Sequence, residues 1–428
     1  QYRSIYIHFL KAIGSDAFQE VDIYGTVLPV TKYSYLVMDI RDLASTIKEA
    51  FVVARSGRPG PVLIDIPKDI QNETIDFVYP DEPVKLPGNN RPIRVSENQI
   101  EEAAHLINNA KKPVILAGHG ILLSGASREI IQLAETASIP IGWTLLGAGS
   151  VPASHPLNMG MMGMHGEFAV NNAIQDADLL IACGMRFDDR VTGNVKTYSP
   201  NSKTIHIEID PSEINKNVPV DVGIPCDLRT AMTQLLPHIS RKQNNEWIKI
   251  ISGWQSESLE RDIINVQTDK LYGAQVIRDI WKETNGDALI VTDVGQHQML
   301  EAQYYDHEEP NTLLTSGGLG TMGYSLPAAI GASFSRQNKD IWVIVGDGSI
   351  QMTITELATA VQENANIKIA IINNGYLGMV RQWQQLFYDA RYAETPISSP
   401  DYLKIAEAYG LDGYRVHKRK EIPGVIQK

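Results

Sequence analysis

The chain has 428 residues, 43% of them apolar and 21% charged, the balance of a soluble globular protein with room for two to four domains of roughly 150 residues. A net charge of -12 argues against a nucleic-acid partner, because a phosphate backbone needs a basic footprint, but leaves room for a phosphorylated cofactor held by local donors or a metal. Two cysteines, Cys183 and Cys226, stand in no CxxC pattern, which excludes a disulfide framework and a cysteine zinc site, and no apolar run approaches the ~18 residues that span a membrane.

The opening segment, QYRSIYIHFLKAIG, lacks the shape of a signal peptide and does not read as the start of a domain. In DLASTIKEAFVVARSG, apolar residues at helical spacing (Leu43, Ile47, Ala50, Phe51, Ala54) precede a stop at Gly57, and PVLIDIP follows as a buried strand. VYPDEPVKLPGNNRP has four prolines and no periodicity, so it reads as a linker. Beyond it, helix and strand alternate. SENQIEEAAHLINNA is a helix with Ser96 as its N-cap, PVILAGHG a strand with a Gly-rich exit, EIIQLAETASI a helix and IPIGWTL a strand. VNNAIQDA, DLLIACG and KTIHIEID continue the βαβ rhythm of a parallel, doubly wound sheet, and the polar stretch 240–270 looks helical and connecting. A third block runs through AQVIRDIWKET, ALIVTDVGQH, AAIGASFS, IWVIVGDG, TELATAVQENA and IKIAIINN. The end, RKEIPGVIQK, stops just after a further βα unit begins. The expected architecture is α/β with three doubly wound parallel-sheet domains, 1–80, 93–240 and 270–428, the first and third incomplete.

One stretch carries chemistry. IWVIV and IKIAII are apolar, β-branched runs suited to strands buried on both faces, and the amphipathic TELATAVQENA between them makes a βαβ unit. Both strands then end at one sheet edge, which brings Asp347 of GDG beside Asn374 of NNG, where open α/β sheets bind ligands. Gly346 and Gly348 let a ligand approach the backbone, and the helix that follows offers N–H donors to an anion. An aspartate would repel a bare phosphate. A divalent cation resolves the conflict, since carboxylate, amide, carbonyl and phosphate oxygens form the six-oxygen shell that suits Mg²⁺. A Walker A loop is excluded because no Lys follows the glycines, and a dinucleotide fingerprint because position 351 is Gln. A lone GDG would be only a tight turn; its pairing with NN at this spacing points to a metal-held diphosphate.

GDG followed by NN resembles the thiamine-diphosphate motif. The chain as a whole is similar to the large catalytic subunit family of acetohydroxyacid (acetolactate) synthases, through IGSDAFQEVD, RSGRPGPVLIDIPKDIQ, ACGMRFDDRVTGN, HIEIDPSEINKN, TSGGLGTMGYSLPAAIGA, GDGSIQMTITELATAVQEN and NNGYLGMVRQWQ. The resemblance implies that Asp347, Asn374 and the Tyr376 carbonyl hold Mg²⁺, and that Gln296, His297, Gly320, Gly348 and Ser349 contact thiamine diphosphate. It implies that Met322 in GLGTMGY lies under the thiamine and bends it, so that an internal base meets the acid it deprotonates. Pyruvate would be decarboxylated and condensed with pyruvate or 2-oxobutyrate, a step of branched-chain amino-acid biosynthesis. Trp383 and Met379 would line the acceptor pocket, and Lys68 and Arg190 would attract carboxylates at its mouth. A second cofactor, FAD, not turned over by the main reaction, is implied at Arg58, Gly118, Gly120, Thr144, Leu145, Met164, His165, Gly184, Arg186, Asp188, Arg190, Val191, Glu208, Ile209 and Asp227.

The resemblance further implies a homodimer or homotetramer with a small regulatory subunit, no nucleic-acid or membrane partner, and a bacterial cytoplasm or a plastid as the compartment. It also sets a limit. The family's activating glutamate falls upstream of residue 1, and QYRSIYIHFLKA departs from the usual pattern before IGSDAF, so the chain on its own is expected to make no acetolactate. Other readings are a different thiamine-diphosphate carboligase or decarboxylase, such as a catabolic acetolactate synthase or an oxalyl-CoA decarboxylase, and a non-catalytic homologue or fragment.

Overall fold

The computed structural model describes residues 14–16, 20–86, 95–267, 270–336 and 338–428. Most of the opening segment, half of IGSDAF and the end of the Pro-rich linker lie outside the described residues. The chain divides into two compact units, Gln1–Arg94 and Val95–Lys428.

In the first unit, strands β1 (Tyr33–Leu36) and β2 (Val62–Asp65) pair in parallel around the helix Leu43–Arg55. The helix and β2 stand where the sequence puts them. β1 is an addition, because YSYL has no apolar run to announce it. Residues 73–86 carry no regular structure, in keeping with a linker.

The second unit holds two sheets. Six parallel strands form the larger: β3 (Pro113–Ala117), β4 (Ile141–Trp143), β5 (Asn158–Met161), β6 (Leu179–Cys183), β7 (Lys203–Ile207) and β8 (Val222–Ile224), in the order β5-β4-β3-β6-β7-β8. Every residue of β3 and β6 is buried, which is why PVILA and LLIAC read as unbroken apolar runs rather than alternating ones. Helices Glu97–Asn109, Ser127–Ala137 and Leu228–Leu235 cover one face, and Phe168–Asp176 with Asn245–Glu260 the other. Two details depart from expectation. Ser96 holds the N-cap position but its side chain makes no capping bond. The segment at 240–270 does more than connect: Trp247 and Ile251 are buried in the second face, and the Trp247 indole donates to the Pro113 carbonyl at 3.1 Å. Burying side chains of this size contributes about 2–3 kcal/mol each.

The smaller sheet comprises β9 (Ala288–Thr292), β10 (Leu313–Thr315), β11 (Asp340–Gly346) and β12 (Lys368–Ile372), all parallel, in the order β10-β9-β11-β12. β11 is central and buried from Ile341 onward. β12 is half-buried along its whole length, against the expectation of burial on both faces; among the described residues it is an edge strand, paired with β11 alone. β5, β8 and β10 escape sequence reading, since three or four residues show no period and these lack the longer apolar runs, PVLIDIP and IPIGWTL, that announce the equally short β2 and β4. Cys183 and Cys226 are buried free thiols. Among the described residues no helix is long and apolar enough to cross a membrane.

Candidate active site

Register fixes the centre of the site. Gly346 at the end of β11 pairs with Ile372 at the end of β12, so Asp347 and Asn374 leave the sheet at one edge. Asp347 is buried. Its Oδ2 accepts the Gly375 N–H at 3.0 Å and the Ser399 hydroxyl at 2.7 Å. Its own carbonyl accepts Tyr402 Oη at 2.8 Å and Gln351 Nε2 at 2.9 Å. The acid of one strand end thus touches the amide loop of the next, 28 residues away. Asn374 Oδ1 takes the Tyr376 N–H at 3.0 Å, and its Nδ2 donates to Gln296 Oε1 at 3.4 Å. Gln296 in turn donates to Gln382 at 3.3 Å. A Cβ on Gly378 would stand 2.3 Å from Gln296 Oε1 and 2.7 Å from Asn374 Nδ2, so any other residue at 378 would make these two side-chain ends shift.

β9 supplies the third strand end, and its key side chain is His297. The imidazole is wedged between two glycines: a Cβ on either Gly295 or Gly346 would stand 2.9 Å from Cε1. The first glycine of GDG is therefore a steric requirement of His297. Burial pulls the imidazole pKa down to about 4, against the pull of Asp293 and Asp347, so the ring is neutral at physiological pH. Its Nε2 is buried without a hydrogen-bond partner, an arrangement that costs free energy unless a ligand satisfies it.

The floor is apolar. A Cβ on Gly348 would meet Ile397 Cδ1 at 3.0 Å, Leu377 Cδ2 at 3.3 Å and Met322 Cε at 3.9 Å. Met322 is half-buried, while the preceding residues 317–321, Gly320 among them, are exposed. The Ser349 hydroxyl donates to the Val294 carbonyl at 3.1 Å. After GDG the helix is a single turn, Asp347–Ile350, so the dipole expected from a following helix is small. Among the described residues no group of three or more His, Cys, Asp or Glu side chains is arranged to hold a metal ion. Asp347, an amide and a carbonyl cannot fill six positions, so a hard cation here needs oxygens brought by its ligand.

The larger sheet offers a second crevice. Counted within the sheet, its strands run 3-2-1-4-5-6, and dinucleotides bind where such an order reverses, between the ends of β3 and β6. Three glycines meet there. The Gly118 and Gly120 N–H groups donate to the Cys183 and Gly184 carbonyls, both at 2.9 Å. A Cβ on Gly118 would lie 2.2 Å from the Gly184 carbonyl oxygen, and one on Gly120 2.6 Å from the Gly184 Cα. Gly184 itself has φ +59, a conformation that favours glycine.

Around this crevice the Thr144 N–H donates to the Ala117 carbonyl at 2.9 Å, and Leu145 opens the next turn. Asp188 caps Arg190 and Val191 at 3.1 and 3.3 Å and pairs with Arg186 at 3.4 Å. The Met164 N–H donates to the Arg190 carbonyl at 2.8 Å, and the His165 carbonyl accepts Gln303 at 2.8 Å. Glu208 and Ile209 follow β7, and Asp227 caps the helix after β8 through the Thr230 N–H at 3.0 Å. One contact links residues of the two sheets' loops: the Arg190 guanidinium lies 5.0 Å over the Trp383 ring, with Met379 one turn earlier on the same helix, Gly378–Phe387. Arg58 and Lys68 belong to the first unit. Sequence reading missed Asp293, Gln382, Ser399 and Tyr402. The Asp in IVTDVGQH, at a strand exit, was the one available signal; Ser399 sits in a loop and Tyr402 opens the helix Tyr402–Ala408, neither within a motif.

Family models of the thiamine pyrophosphate enzyme central domain and of the C-terminal TPP binding domain match residues 100–235 and 293–428. The acetolactate synthase large subunit of Corynebacterium glutamicum is 46% identical over 427 residues, spanning 97% of this chain and 68% of that protein. Isozyme 3 of the Escherichia coli acetolactate synthase large subunit is 39% identical, spanning 97% of this chain and 74% of that protein. The chloroplastic acetolactate synthase 1 of Nicotiana tabacum is 42% identical, with 98% and 64% spanned.

Proposed function

This chain belongs to the acetolactate synthase large-subunit family of thiamine-diphosphate enzymes, and from that premise we propose that it decarboxylates pyruvate and condenses the product with pyruvate or 2-oxobutyrate in branched-chain amino-acid synthesis. The observation that carries this reading is the meeting of the buried Asp347 carboxylate, the Asn374 loop and the orphaned His297 Nε2 at three adjacent strand ends. Asp347, Asn374 Oδ1 and the Tyr376 carbonyl would hold Mg²⁺ and, through it, a diphosphate. No hydrogen bond falls on Asp347 Oδ1 among the described residues, which suits a metal ligand. Thiamine diphosphate, when bound, supplies the nucleophilic carbon and the electron sink for decarboxylation.

The chain's own residues bind and orient. Gln296, His297, Gly348 and Ser349 would contact the diphosphate, Gly320 would complete the cofactor site, and Met322 would support the rings from below. Trp383 and Met379 would wall the acceptor pocket against water, while Arg190, held over Trp383, and Lys68 would draw 2-oxo acid carboxylates inward. FAD would occupy the glycine-lined crevice at Gly118, Gly120 and Gly184, with the neighbouring residues described above and Arg58 completing its site. A homodimer or homotetramer with a small regulatory subunit, in a bacterial cytoplasm or a plastid, is the expected assembly. Acetolactate formation from pyruvate by the natural full-length polypeptide, with Mg²⁺ and thiamine diphosphate supplied, tests the reading. Turnover without carboligation would refute it.

A further inference from the structure

The exit of β9 carries a carboxylate that the reaction above does not use. Asp293 is fully buried. Oδ1 accepts the Val294 and Gly323 N–H groups, both at 2.9 Å, and Oδ2 accepts the Ser325 N–H at 2.9 Å and the Ser325 hydroxyl at 2.7 Å. A buried carboxylate is costly unless donors replace its hydration, and here they do. Apart from the adjacent Val294 N–H, all of them come from one turn, residues 323–325, directly after Met322.

That turn is gripped from the other side as well. Thr353 Oγ1 donates to the Gly323 carbonyl at 3.1 Å. Gly323 has φ +87, and a Cβ on it would press on Thr353 Cγ2 at 3.0 Å and Met352 Cβ at 3.1 Å. The residues before Met322 are exposed instead, with Leu319 95% exposed. Met322 is thus anchored chiefly from its C-terminal side, and the anchor is Asp293. From there its Cε reaches to 3.9 Å from where a Gly348 Cβ would stand.

We propose that Asp293 is a positioning residue: it sets the height of Met322 over the Gly348 floor, and so the fit of the ligand's heterocyclic part, without touching ligand or metal. The inference rests on the reading of Met322 as the support beneath the thiamine rings. In Asp293→Asn the amide nitrogen would face the Ser325 N–H, leaving a buried donor unpaired.

The test compares two probes by calorimetry on the full-length protein with Mg²⁺: thiamine diphosphate, which has rings to rest on Met322, and inorganic diphosphate, which has none. Asp293→Asn is expected to weaken thiamine diphosphate about tenfold, as loss of one buried hydrogen-bond partner does, and to leave inorganic diphosphate unchanged. Ser325→Ala, which removes only the hydroxyl bond, is expected to give a smaller loss of the same selectivity, and it carries the comparison should Asp293→Asn not fold. Equal weakening of both probes would make Asp293 a mere brace for the β9 exit and overturn the proposal, as would no weakening of either. Met322→Ala separates the two layers. If it binds thiamine diphosphate as wild type does, the reading of Met322 fails; if it weakens thiamine diphosphate while Asp293→Asn does not, only the role of Asp293 fails.

Discussion

Gly346→Ala isolates the steric demand of His297. Gly346 sits at φ -85 and ψ 157, extended backbone that alanine adopts freely, so the substitution brings no backbone strain. The cost is the added methyl alone, 2.9 Å from both Cε1 and Nδ1 of the buried ring, where ordinary contacts need about 3.5–4.0 Å. The ring packs just as closely on the Gly295 backbone, where an added Cβ would also stand 2.9 Å from Cε1. Overpacking of this kind costs about 1–3 kcal/mol. At about 1.5 °C per kcal/mol for a unit as large as Val95–Lys428, calorimetry should find Tm lowered by roughly 1–5 °C. The double-mutant cycle supplies the control, because in a His297→Ala background the methyl has open space and should cost less than about 0.5 kcal/mol. An equal loss in both backgrounds, or none in either, would refute the steric account.

Two further outcomes follow from buried groups. Burial, with a smaller contribution from Asp262, raises the Glu167 pKa to about 7. A raised carboxyl pKa stabilises the fold fully below its unfolded value near 4.5 and loses that contribution as pH rises through 7, so Glu167→Gln should flatten the stability profile and gain roughly 2–3 kcal/mol at pH 8, read from urea midpoints. In the glycine crossing, Gly118→Ala would set a Cβ 2.2 Å from a backbone oxygen that no rotamer change can move. It should cost about 3 kcal/mol or more and, if FAD occupies this crevice as proposed, lower the flavin absorbance of the purified protein.

What the sequence disclosed depended on length and burial. PVILA, LLIAC and IWVIV announce central strands because both faces are buried, and right-handed connection of parallel strands then places Asp347 beside Asn374. Strands of three or four residues, such as VGI and LLT, have no room for a period, and YSYL keeps one exposed and one buried residue in its first pair. In the site, glycines and the metal-type ligands were legible through GDG and NN. Asp293, Ser399 and Tyr402 were not, because their roles arise from contacts 30 to 55 residues away in sequence. The steric reason for Gly346 was equally hidden, since it lies in the ring of His297 rather than in a ligand.

The account turns on one claim, that Asp347 holds a diphosphate through a divalent cation. Calorimetric titration of thiamine diphosphate into wild type and Asp347→Ala, each with Mg²⁺ and with chelator, measures it directly. Wild type should bind only with Mg²⁺, and Asp347→Ala should bind at least about 100-fold more weakly, as loss of a metal-site ligand implies, with no response to Mg²⁺. Wild-type affinity in Asp347→Ala, or tight binding by wild type in chelator, would contradict it.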